Sequence, residues 1–425
     1  MTDVLTADDA LYEELYDVRK EAEDMGNLVE EDMNPAMCAL RDKGAVQKGF
    51  LRDLLGLEAH HRNAAAKTLE GYTCFTWDTC NEVFRDNDRF SSRIYHMSPT
   101  EEQTLGILEM DGLRHRGYRM TLQPMFLKPR TLTWWRERWI NDIVDTLVKH
   151  LKGRDRAELN LQLCARVPVH TVTRSIGMEG NDSLVFRHAL IRSSGRVTPE
   201  ARVEANATVD RMLMELIAKR RIEPGDDVVS GLLAAELDVG DGAPRPMTDR
   251  EIATQCRLVM IAGGGTSWRQ FGITLWALMT NLDQFEALKA DRSLMDAAID
   301  EGVRWNPTDP VFIREVVHDT EVGGVAIPKG AALEICLGAA NRDPSRWPDN
   351  PDAYDLHRPQ QGHIGFGIGP HQCLGMNVAR SEINVGINAL LDYFPNMRLD
   401  PDAPPPFLTG GLEQRGMSAV PVRLD

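Results

Sequence analysis

Residues 366–375 read Phe-Gly-Ile-Gly-Pro-His-Gln-Cys-Leu-Gly, so closely spaced glycines lead into one cysteine, Cys373, just ahead of a helical pattern, MNVARSEINVGINALL. A cysteine there stands at a helix N-terminus, where free N–H groups and the macrodipole favour the thiolate. Thiolate is the form that binds iron. Glycines let the backbone approach the sulfur and a cofactor closely, and N–H groups around the sulfur tune the metal's electron density. Spacing alone leaves open a plain packed thiol. It closes the dinucleotide-loop reading, because no strong strand precedes the run and no glycine stands at the helix entry in the G-x-G-x-x-G register.

Other reactive side chains recur at helical spacing. Glu301 and Arg304 are three apart and share a helix face; taken alone, such a pair is a solvated surface pair. His115 and Arg119 lie one helical turn apart. In Ala262-Gly263-Gly264-Gly265-Thr266-Ser267 two hydroxyls follow three glycines, and each glycine inside a helix costs about 1 kcal/mol relative to alanine. Close approach of oxygen, water or substrate is a reason to accept that cost. For Gly263, tight passage of the helix over a cofactor is reason enough.

These residues must be held by the elements around them. Thr248 and Glu251 form a capping-box pattern that opens an apolar run of over thirty residues, EIATQCRLVMIA through FGITLWALM, long for a globular helix. Strand character comes mainly later, where Thr320-Glu321-Val322 and Val325-Ala326-Ile327 flank Gly323-Gly324 as in a tight hairpin. Residues 341–369 are too rich in Pro, Asp, Gly and Arg for regular elements, and a long irregular segment inside a compact domain usually serves a function.

The pattern Phe-Gly-x-Gly-x-His-x-Cys-x-Gly resembles the haem-binding loop of cytochromes P-450. The resemblance covers the chain from about residue 80 onward and residues 1–80 only loosely. It implies a mainly α fold with small β-sheets, the cytochrome P-450 fold, as a single domain over 1–425. It makes Cys373 the proximal thiolate of haem b (iron protoporphyrin IX), with Phe366 and Gly375 in the same loop. His371, His115, Arg119 and Arg314 are then directed at the haem propionates. Glu301, Arg304 and Arg358 correspond to a buried charge network behind the loop. Residues 262–267 resemble the oxygen-binding groove, with Thr266 and Ser267 matched but Gly265 where an acid is usual. Proton delivery must therefore be rearranged, through an ordered water chain or a polar group of the substrate. Leu258, Ile261, Ala262, Pro310, Val311 and Phe312 are expected at the distal pocket, residues 93–108 in a substrate-recognition loop, and Arg269 and Gln270 as caps of the groove.

Composition limits the partners. A formal charge of −16 disfavours nucleic acid and anionic membranes. The opening stretch is acidic and charge-broken, unlike a signal peptide, and no apolar run suits a membrane span, which points to the cytoplasm. Seven scattered cysteines with no CxxC pair are expected to be reduced, six of them as packed thiols. A basic island, Arg114, Arg116, Arg119, Lys128, Arg130, Arg136 and Arg138, suits an acidic iron-sulfur ferredoxin fed by its reductase, or else pairs with the protein's own carboxylates. The expected activity is monooxygenation: one oxygen atom of dioxygen enters a small or medium hydrophobic substrate such as a terpenoid, steroid or aromatic, in a monomer. A peroxide-using haem-thiolate enzyme and a haem protein that binds gas without turnover are the alternatives.

Overall fold

The computed structural model describes residues 4–6, 9–24, 28–57, 68–95, 105–194 and 198–425. Eight helices frame the site: α1 (Asp9–Leu15), α2 (Val18–Asp24), α3 (Gly112–Phe126), α4 (Arg166–Ile176), α5 (Asn181–Ser194), α6 (Asp249–Thr280), α7 (Met295–Trp305) and α8 (Met376–Tyr393). Helix α6 opens on the expected capping box, with the Thr248 side chain accepting from the Glu251 N–H and the Glu251 carboxylate returning to the Thr248 N–H. It runs 32 residues, about 48 Å at 1.5 Å per residue. The three glycines do not break it.

The main core gathers around α6. Ile252, Cys256, Met260, Phe271, Leu275 and Leu278 pack with α8 residues such as Ile383, Ile387 and Leu390. The two helices meet where Gly386 faces Phe271: a Cβ on Gly386 would lie 2.3 Å from the ring. Only a glycine allows that crossing.

The largest sheet has five strands, β1 (Val46–Lys48), β2 (Gly71–Cys74), β3 (Phe90–Ser91), β4 (Phe312–Val316) and β5 (Ala332–Ile335), in the order β1-β2-β5-β4-β3. β5 runs parallel to β2, and the other pairs are antiparallel. Most strands among the described residues lie later in the chain, as expected, although three of this sheet's strands come from the first 91 residues. They are short, and β2 is buried along its length, so no alternation marks it. The Thr320–Val322 and Val325–Ile327 hairpin forms as expected, with Gly323 and Gly324 at φ +55° and +79°. Residues 341–375 form no helix or strand.

Candidate active site

The cysteine loop is tied by its own backbone. Cys373 N–H donates to the Phe366 carbonyl at 2.8 Å, Gly367 to Ile364 at 2.9 Å and Gln372 to Gly369 at 3.1 Å. Gly367 and Gly369 take φ +64° and +79°, a region that side chains disfavour. A Cβ on Gly369 would also lie 2.6 Å from the Phe84 carbonyl oxygen. Helix α8 starts at Met376 with Gly375 as its cap, which sets Cys373 at the helix mouth. Six cysteines are buried, while Cys373 is accessible. Protein atoms crowd round its sulfur, so burial raises the thiol pKa while the Gly375 N–H and the Arg119 and Arg380 guanidiniums pull it down. Phe366 is half-buried with Arg380 4.8 Å over its ring.

Four basic groups converge beside the loop. The His115 and His371 rings are 4.0 Å apart. His371 Nε2 is 3.1 Å from Ser92 Oγ and 3.4 Å from an Asp111 carboxylate oxygen. Arg119 donates to the Gln372 carbonyl at 2.8 Å. Arg314 stands on β4, opposite Leu333 of β5, and is buried. Burial, with His371 and Arg119 nearby, pushes the His115 pKa down to about 3. His115 Nε2 and Arg314 Nε are buried without hydrogen-bond partners, a costly state that an anionic acceptor relieves. An accessible thiol with orphaned nitrogen donors around it, one of them on the cationic Arg314, suits an iron porphyrin, whose metal takes the sulfur and whose carboxylates take the donors. The residues present fit the group.

Behind the loop, Arg304 donates twice to the Glu301 carboxylate, each at 2.7 Å, and Arg358 joins at 3.1 Å. All three are buried. The remaining N–H groups reach carbonyls of the irregular segment, Arg304 those of Asn341, Pro351 and Ala353, and Arg358 those of Asp349 and Asn350. Asn341 Oδ1 accepts from Ile364 N–H at 2.9 Å. The network thereby holds the approach to the cysteine loop.

On α6, Ala262 is exposed and Leu258, Ile261 and Thr266 are half-buried, while Gly264, Gly265 and Ser267 are buried on other sides of the helix. Thr266 Oγ1 donates to the Ala262 carbonyl at 2.9 Å. The glycines have separate surroundings. A Cβ on Gly263 would press on Val172 of α4 at 3.3 Å. Gly264 leaves space for Arg187, and a Cβ on Gly265 would meet only Arg269, at 3.8 Å. Arg269 and Gln270 are buried, Arg269 paired with Glu21 and Gln270 accepting from Thr308 N–H at 3.1 Å.

Sequence reasoning missed Glu382. This α8 residue is buried beside the hydroxyls of Thr171 and Ser267, one of its oxygens has no hydrogen-bond partner, and burial pushes its pKa up to about 8. The available signal was a lone acid among Val378, Ile383 and Val385 on the apolar face of the helix.

The residues expected at the distal pocket differ in burial. Pro310 and Val311 are buried, Val311 against Met37, Leu51 and Phe75, and so turn into the core. They follow the chain into β4, which is packed on both sides. Phe312 is half-buried with its ring 6.1 Å from that of Phe84. Most of the supposed recognition loop, residues 96–104, lies outside the described residues. The basic island divides: Arg119 turns inward, Arg130 and Arg138 pair with Asp226, and Arg116 and Lys128 are exposed. Among the described residues no helix is long and apolar enough to cross a membrane.

A long helix with an open, hydroxyl-bearing face and a loop that presents one accessible thiol define a thiolate-dependent enzyme class, and the comparisons agree. The family model "Cytochrome P450" matches residues 181–418. Cytochrome P450 105C1 of a Streptomyces species is 34% identical over 69% of this chain and 74% of its own. Vitamin D3 dihydroxylase of Streptomyces griseolus is 29% identical over 80% of this chain and 82% of its own. The ligand-free P450 monooxygenase TamI superposes with a TM-score of 0.79 at 27% identity, covering 93% of this chain and 92% of that one. This chain belongs to the cytochrome P450 family, and it is a monooxygenase, an oxidoreductase that works with haem.

Proposed function

We propose that the protein inserts one oxygen atom of dioxygen into a small or medium hydrophobic substrate, with haem b held by Cys373 and electrons from a separate ferredoxin and its reductase. The observation that carries this reading is the accessible Cys373 thiol beside orphaned His115 and Arg314 nitrogens. In this reading Cys373 would ligate the iron, Arg119 and Arg314 would neutralise the propionates, and His115 and His371 would hydrogen-bond to them. Bound haem supplies the redox-active iron at which dioxygen is reduced and one oxygen atom is passed to the substrate.

The chain's own residues do the rest. Leu258, Ile261, Ala262 and Phe312 offer an apolar surface to the substrate, and the relative named for dihydroxylating vitamin D3 supports a hydrophobic one. Monooxygenation with dioxygen consumes two electrons and two protons, whereas transfer from hydrogen peroxide consumes neither. A store of protons therefore supports the dioxygen route. Glu382, held protonated at neutral pH by burial beside Thr171 and Ser267, stores a proton on the buried side of the helix that carries Thr266, where no acid stands at position 265.

Reduction is served by the other face. Exposed Arg116 and Lys128 lie among exposed Leu113, Met120, Leu127 and Leu132, a mixture of charge and apolar area that suits docking of an acidic ferredoxin. The test is the absorption spectrum of the reduced protein under carbon monoxide, for wild type and Cys373→Ser. A strongly red-shifted Soret band that disappears in the variant is expected, and an unshifted band in both overturns the reading.

A further inference from the structure

Helices α1 and α2 lie against the back of α6, behind the glycine run. Tyr12 hydroxyl is 2.6 Å from His170 Nε2 of α4, and Tyr16 meets the Trp268 ring edge-on at 5.8 Å. Tyr12, Leu15, Tyr16 and Val18 share a buried cluster with Val169, Leu184 and Trp268. Two guanidiniums sit under this cover. Arg187 of α5 is 4% exposed, lies over the Tyr16 ring at 5.3 Å, and points Nη1 to within 3.1 Å of where a Cβ on Gly264 would stand. Arg269 of α6, 2% exposed, donates Nη1 to the carbonyl of Gly265 and Nη2 to the carboxylate of Glu21 on α2. Among the described residues Glu21 is the one carboxylate paired with either of these arginines.

A guanidinium buried without a counter-charge costs several kcal/mol, and it either leaves or draws water in. The Glu21 carboxylate is therefore what lets Arg269 stay folded back on Gly265. We propose that Glu21 is a positioning residue of the oxygen-activating groove: acting through Arg269, it fixes the Gly265 carbonyl and closes the back of the glycine run to water. The amino-terminal helices are on this account a working part of the site. Glu21 and Glu382 divide the work expected of an acid at 265, one positioning and one storing a proton. The inference deepens the monooxygenase reading and rests on it.

The experiment uses the haem-loaded protein as wild type, Glu21→Gln, Glu21→Gln with Gly265→Asp, and the exposed control Glu23→Gln. Two quantities are read: hydrogen–deuterium exchange in peptides spanning residues 262–270, and hydrogen peroxide released per NADPH oxidised with a surrogate ferredoxin and ferredoxin reductase. Exchange in the apoprotein is read as well, so the result does not depend on turnover. Glu21→Gln is expected to speed exchange in 262–270 by about fivefold and to raise peroxide release by about threefold, with Glu23→Gln at wild-type values. The double variant is expected to return peroxide release to within about twofold of wild type, because a carboxylate at 265 stands beside Arg269. If Glu21→Gln does not accumulate as folded protein, Glu21→Asp, which keeps the charge and withdraws it by one methylene, is expected to shift both readouts the same way and less.

Wild-type values in Glu21→Gln, or in Glu21→Asp where only that variant folds, overturn the proposal. So does a Glu21→Gln effect that Gly265→Asp leaves unrepaired, since lost packing alone then explains it. The carbon monoxide spectrum of the same samples separates the two levels: an unshifted wild-type band defeats the haem-thiolate reading itself, and a normal band with unchanged exchange defeats only the role of Glu21.

Discussion

Glu382 lies against Ser267 and so joins the helix that follows the cysteine loop to the helix that carries the glycine run. Because burial raises its pKa from the ordinary 4.5 to about 8, the folded state keeps a proton that the unfolded chain releases. Both states are protonated below about pH 4.5, so Glu382 costs no stability there. The cost grows as pH rises and is complete above about pH 8, each pH step of one across that interval adding about 1.4 kcal/mol. Glu382→Gln is therefore expected to be as stable as wild type near pH 4.5 and more stable at pH 8, by denaturant titration. Coupling of electron use to product is expected to fall in the same variant, and a wild-type pH profile of stability defeats the assignment.

The Glu301 network predicts a cost without any change at the cysteine. Glu301→Gln leaves Arg304 and Arg358 buried with their charges uncompensated, a loss of roughly 3–5 kcal/mol. The expected result is a lower denaturation midpoint and poor haem retention, seen as a reduced Soret-to-protein absorbance ratio. A variant with wild-type stability and full haem content contradicts the role given to these residues.

Where α6 and α8 cross, Gly386→Ala forces a methyl group against the buried Phe271 ring. Overpacking of this kind costs about 1–3 kcal/mol. Thermal unfolding should report a lower Tm, and Phe271→Leu combined with Gly386→Ala should recover part of it. Failure of that recovery places the clash elsewhere.

At the surface, Arg116→Glu is expected to slow the first electron transfer from an acidic ferredoxin by about tenfold at low ionic strength, with the difference shrinking as salt screens the charges. Stopped-flow reduction measures it. An unchanged rate removes Arg116 from the docking surface.

The cysteine loop, the capped helix and the Gly323-Gly324 hairpin were legible because each is a local pattern: positive-φ glycines, a capping box and an apolar period need no distant partner. Glu301 and Arg304 were legible as a pair, yet their burial depended on carbonyls from residues 341–353, some forty positions away. The neighbours of Pro310 and Val311 were not legible, because apolar character says that a residue is buried and not against what. Of the strands in the first 91 residues, β2 and β3 were illegible for the same reason, since their pairing with β5 and β4 crosses more than two hundred residues, and β1 pairs only with β2.

Sequence alone determined the family resemblance, the candidate thiol Cys373 and the absence of an acid at 265, because chemistry and local backbone geometry are written in neighbouring residues. Tertiary structure alone decided which acids pack against that helix. Glu382 stands 117 positions after Gly265 and Glu21 stands 244 before it; only the packing of α8 and α2 on α6 brings Glu382 to Ser267 and Glu21 to Arg269.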